Sequence, residues 1–94
     1  MPNINKKDPK NTNNPAIAVN NATKIGELVR LHREKAGLTQ LELAELSGVG
    51  KTVVFDVEKG KSTVKLETLL KIFKSLNISL YLGSPIIETL ESLT

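Results

Sequence analysis

Three lysines, Lys51, Lys59 and Lys61, flank one short segment that also carries Thr52 and Asp56. Two further acids, Glu42 and Glu45, belong to the segment before it. Cations gathered at one short stretch suit a polyanion such as nucleic acid. Groups for bond-making chemistry are missing. There is no Cys, so the chain has neither a disulfide framework nor a thiolate metal site. The one His, His32, has no second His or Cys to share a metal and reads as an edge-of-core residue on an apolar face. The carboxylates are spread along the chain, with no nucleophile or oxyanion site to serve. The expectation is a non-enzyme without metal or cofactor.

The chain has 94 residues, which makes one domain with a small core. A second copy is then an economical source of further burial. The formal charge is +3, but Lys6, Lys7 and Lys10 against Asp8 put +2 of it in the first 22 residues. Net charge alone therefore says little about the partner. No apolar run approaches the ~18 residues that span a membrane. The first residues lack a long apolar stretch, so no secretory signal is expected. A soluble, cytoplasmic protein follows, with no membrane partner.

The elements that must position the lysines can be read from spacing. Residues 1–22 hold seven of the eight Asn, with Pro2, Pro9 and Pro15. Such a stretch cannot bury enough apolar area to order itself, so 1–22 reads as a disordered or partly ordered tail. Residues 16–19 are apolar and read as a partly ordered tail in preference to a strand or a docking peptide. A first helix is predicted over 24–36, with Thr23 as N-cap and Gly37 after its end. Its apolar face is Ile25, Leu28, Val29, His32 and Ala36. A second helix opens at the capping box Thr39–Glu42 and stops at Gly48. A third runs over 51–58, between Gly50 and Gly60, with Val54 and Val57 inward. A fourth runs over 66–76 with Leu66, Leu69, Leu70, Phe73 and Leu76 at helical spacing.

Over 78–82 the pattern changes to alternation, which predicts a strand. A lone strand leaves its backbone groups unpaired. The same strand of a second copy satisfies them about a two-fold axis, with Ile78, Leu80 and Leu82 as the dimerisation residues. Ser84-Pro85 then opens a last short helix striped by Ile86, Ile87, Leu90 and Leu93. The expected organisation is a tail over 1–22, a DNA-binding domain over 23–77, and a dimerisation strand with a short helix over 78–94.

Two short helices separated by a three-residue turn containing Gly have the geometry of a helix-turn-helix, whose second helix lies in the DNA major groove. The stretch Leu38-Thr39-Gln40-Leu41-Glu42-Leu43-Ala44-Glu45-Leu46-Ser47-Gly48-Val49 resembles the helix-turn-helix domains of the phage-repressor (Xre/Cro-CI) family, and Val54, Val57, Glu58 and Gly60 continue the pattern. Residues 69–80 are similar to HipB-like antitoxin repressors, which pair with HipA-type kinases. The resemblance implies a mostly α, lambda-repressor-like bundle of four to five short helices, plus one C-terminal strand pairing across a homodimer. It further implies a transcriptional repressor on a palindromic operator, autoregulating its operon and sequestering a HipA-like kinase toxin. A stand-alone phage-type regulator without a toxin, or a protein-interaction module that has lost operator binding, are the alternatives.

The resemblance also assigns roles. Gln40 meets phosphate and the base edge. Lys51 and Thr52 read bases from the start of the third helix, and Asp56 follows one turn on. Lys59 and Lys61 contact phosphates. Arg33 and Glu58 form a structural ion pair that presents the third helix. Three positions depart from the family pattern: Gly50 replaces a Ser cap, Phe55 a small hydroxyl, and Asp56 puts a negative charge near phosphates. Two arrangements fit them. Phe55 stacks on thymine methyls while Asp56 accepts from cytosine N4, or Phe55 packs sideways while Asp56 pairs with Lys51 or Lys59. Residues 48–52 mimic the end of a phosphate-binding loop, but Glu45 stands where that loop needs Gly, and a helix precedes it instead of a strand.

Overall fold

Helix boundaries in this chain are set by local capping. The computed structural model describes residues 16–86. Its four helices are α1 (Ala22–Lys35), α2 (Gln40–Ser47), α3 (Lys51–Glu58) and α4 (Leu66–Ser75). α1 starts earlier than the spacing predicts. Its N-cap is Asn21, not Thr23, and the Asn21 side chain accepts from the Lys24 N–H at 2.8 Å. Asn is among the strongest caps, and the earlier start places Thr23 in the first turn, against the backbone of Gly60. α2 has the full capping box: Glu42 N–H donates to Thr39 Oγ1 at 3.0 Å, and Thr39 N–H donates to Glu42 Oε1 at 2.8 Å.

All four helices end in the same way. The residues after them, Gly37, Gly48, Gly60 and Asn77, have positive φ. In each case that residue and the next donate back to the last turn, as in the Schellman motif. The residue completing the motif is Leu38, Val49 or Ile78 after α1, α2 and α4, and each packs against the core. After α3 it is Lys61, which reaches back to Asp56 instead.

The core holds Val29 from α1, Leu43 and Ala44 from α2, Val54 and Val57 from α3, and Ile72, Phe73 and Leu76 from α4 and its end. α3 packs on both α1 and α2, and α4 packs on α2. Ser47 is buried with them and donates to Ser75 Oγ at 2.9 Å, a polar tie between α2 and α4. His32 stays at the core edge, its Nδ1 hydrogen-bonded to the Leu28 carbonyl of its own helix at 2.7 Å.

The chain divides into two units, and Val19–Ser79 contains all four described helices. Of the other unit, residues 16–18 and 80–86 are described, and they are irregular. Among the described residues there is no β-strand, so the strand expected over 78–82 is not formed in the single chain. The first residue of that stretch is still part of the α4 end, since Ile78 N–H donates to the Phe73 carbonyl. A ladder also needs a second strand, which the described residues do not supply. Residues 1–15 of the tail expected over 1–22, and the apolar stripe beyond Ile86, lie outside the described residues.

Candidate nucleic-acid interface

α3 is held from behind by two devices. The first is a close approach. A Cβ on Gly26 of α1 would run into the carbonyl oxygen of Val57 and lie 3.0 Å from that of Glu58. Only a residue without Cβ lets the two helices meet there. The second is an ion pair. Arg33 Nε donates to Glu58 Oε2 at 2.6 Å and Arg33 Nη2 to Glu58 Oε1 at 3.0 Å, a two-point geometry. The side chains are only 13% and 5% exposed. Arg33 Nη1 also donates to the Leu38 carbonyl at 2.8 Å, and Gln40 Nε2 to Glu58 Oε1 at 3.2 Å. The hydrogen bond and charge of Glu58 hold the Arg33 guanidinium above its already high value, against a smaller opposing effect of burial. One carboxylate thus ties α1, the α1–α2 turn and α2 to the end of α3.

The other face of α3 is open. Lys51, Thr52, Phe55 and Lys59 are exposed, at a spacing that lines them along one side of the helix. Among the described residues Lys51 and Lys59 form no ion pair. The Lys59 ammonium sits over the Phe55 ring, 5.5 Å from its centroid. Asp56 pairs with Lys61 at 3.4 Å, which corrects the expected partners Lys51 and Lys59. The reason is the helix ending: Gly60 turns the chain so that Lys61 returns over Asp56. Gly50 offers no side-chain cap, so the first N–H groups of α3 have no side-chain acceptor. Elsewhere Arg30–Glu34 and Lys71–Glu67 are paired within their own helices, while Lys35, Lys65 and Lys74 form no ion pair among the described residues.

Lys51, Thr52, Phe55, Asp56, Lys59 and Lys61 therefore come together on and just after one helix. Gln40 stands apart from them, half-buried with its amide nitrogen turned to Glu58. Ile78 is half-buried against the core, whereas Leu80 and Leu82 are exposed. Among the described residues no group of three His, Cys, Asp or Glu side chains gathers for a metal, and no helix is long and apolar enough to cross a membrane.

The helix-turn-helix family model, HTH_3, matches residues 29–82, a span that contains both α2 and α3. The chain belongs to this helix-turn-helix family. An HTH-type transcriptional regulator of Sinorhizobium fredii, y4mF, is 38% identical over 61 residues, covering 65% of this chain and 80% of the relative. Among solved structures, the HipA–HipB–O2–O3 complex contains a chain that matches with a TM-score of 0.68 and 27% identity, over 74% of this chain and 99% of that one. The restriction-modification controller protein C.AhdI from Aeromonas hydrophila matches with a TM-score of 0.57 and 38% identity, over 62% of this chain and 88% of its own.

The match spans α2, the turn at Gly48 and α3. Gly26 and Asn21 escaped the reading of the sequence. A Gly inside a helical run was the available signal for the first, since such a residue usually marks a close packing contact. For the second, Asn directly before Ala22-Thr23 was an equally good cap three residues ahead of Lys24.

Proposed function

We propose that this helix-turn-helix protein is a sequence-specific DNA-binding transcriptional repressor that acts as a homodimer. The observation that carries the reading is the outer face of α3, where Lys51, Thr52, Phe55 and Lys59 are exposed together and the acid beside them is already paired. In this reading α3 enters the major groove. Lys51 donates to guanine O6 or N7 or to phosphate, and Thr52 hydrogen-bonds or touches a thymine methyl. Lys59 and Lys61 meet phosphates, and Gln40 meets backbone and base edge through its free amide oxygen. Asp56 acts by holding Lys61 at the end of the helix. Residues 78–82, with Ile78, Leu80 and Leu82, pair with the same strand of a second copy. That sets two α3 helices ~34–36 Å apart on a palindromic operator. Repression is steric, by occlusion of the promoter.

Footprinting on the DNA upstream of the protein's own gene tests the first half. Protection is expected, and a Lys51→Ala, Thr52→Ala variant should lose it; equal protection by that variant rejects α3 as the reading helix. Sedimentation tests the second half. Leu80→Lys is expected to give a monomer, and an unchanged dimer rejects the strand interface.

The repressor is further proposed to be the antitoxin of a HipA-like kinase, binding and inactivating it. The likeness to a chain of the HipA–HipB complex supports this reading. Its test is co-purification with the product of the neighbouring gene, and the absence of a kinase-like reading frame beside it rejects the toxin partner. The higher identity to the controller protein C.AhdI favours a second reading, a stand-alone regulator that binds an operator with no kinase.

A further inference from the structure

We infer that Phe55 reads the C5-methyl group of a pyrimidine, thymine or 5-methylcytosine, in the major groove; this rests on the proposed reading of DNA by α3. Phe55 lies one turn after Lys51 and one turn before Lys59, opposite the buried Val54 and Val57. It is 46% exposed, while both large buried apolar groups of the same helix are turned fully into the core. An aromatic ring left in water carries an unrecovered burial energy until a ligand covers it.

The surroundings define that ligand. The ring is an apolar island on a stripe whose other members are two ammonium groups and a hydroxyl, groups that suit phosphates and base edges. The Lys59 ammonium lies over the ring, with Nζ 5.5 Å from the centroid. The neighbouring carboxylate of Asp56 accepts from Lys61 through one oxygen, at 3.4 Å, so the charge beside the ring is partly neutralised. In a major groove, the apolar group that remains is a C5-methyl, which thymine carries and cytosine acquires by methylation. The flanking donors engage the polar edges, and the ring supplies discrimination by a methyl.

The test uses the full chain and its own upstream DNA in a binding titration. Each thymine in one half-site is replaced in turn by deoxyuridine, which removes only the methyl. One position is expected to weaken binding about fourfold, the loss of one buried methyl contact. In a second arm the base pair at each half-site position is C·G or 5-methyl-C·G, and the methylated form is expected to bind about fourfold tighter at the position facing residue 55. The first arm identifies thymine as the natural source, and the second alone identifies a methylated cytosine. Phe55→Ala should abolish the methyl dependence in both arms, and Phe55→Leu should retain part of it. A wild-type complex that binds the operator but is blind to every methyl overturns the inference and leaves the ring to a protein partner. Methyl dependence that survives Phe55→Ala also overturns it. No protection of any upstream DNA by the wild type is the separate failure of the repressor reading itself, and the inference falls with it.

Discussion

α2 and α3 are both eight residues long, and both end on a left-handed Gly. They differ at their starts and in what holds them. α2 opens with a reciprocal capping box and buries Leu43, Ala44 and Ser47, the last hydrogen-bonded to Ser75 of α4. α3 opens on Gly50 with no side-chain cap and buries only Val54 and Val57. Its placement comes from other elements, through the Gly26 approach and the Arg33–Glu58 pair. A helix this short has little stability of its own. α2 draws part of its stability from its own ends, whereas α3 depends on its neighbours. The gain for α3 is a front face whose lysines form no ion pair among the described residues and a first turn without a side-chain cap.

The largest expected effect tests the tie behind α3. Arg33→Ala leaves the Glu58 carboxylate buried without its partner, and should cost about 3–5 kcal/mol in urea unfolding. Replacing both residues together, Arg33→Met with Glu58→Leu, is expected to recover most of that loss, since a packed apolar pair removes the orphaned charge. A single substitution that costs under about 1 kcal/mol would break the contrast between the helices. Gly26→Ala comes next. Its methyl meets backbone of α3, not a flexible side chain, so a loss of about 1–3 kcal/mol is expected in the same measurement.

Smaller effects sharpen the comparison at the helix starts. Thr39→Ala removes the α2 cap and should cost about 1 kcal/mol. The reverse change, Gly50→Ser, gives α3 the cap it lacks and should raise the stability in urea unfolding by a few tenths of a kcal/mol. If Gly50→Ser stabilises more than Thr39→Ala destabilises, α3 is not held by its neighbours in the way the geometry indicates.

Much of the scaffold is written in runs of a few residues. The capping box at Thr39–Glu42, the limits of α2 and α3, and the inward Val54 and Val57 are each decided by atoms within one or two turns, so spacing alone reveals them. The start of α1 was legible less sharply, because Asn21 and Thr23 are rival caps of similar strength and the docking of Thr23 against Gly60 goes with the earlier one. The site divides in the same way. That Lys51, Thr52, Phe55 and Lys59 share a face follows from helical period. That Asp56 belongs to Lys61, and that Gln40 turns its amide to Glu58, does not.

By itself, then, the sequence determined four helices, their ends and a cluster of cations at one of them, because hydrogen bonds within a turn are fixed by consecutive residues. Tertiary structure alone decided what holds α3 and where the Gln40 amide turns. Those outcomes depend on a missing Cβ at Gly26 and a carboxylate shared between Arg33 and Gln40, contacts between residues far apart in the chain whose geometry exists only once the helices have docked.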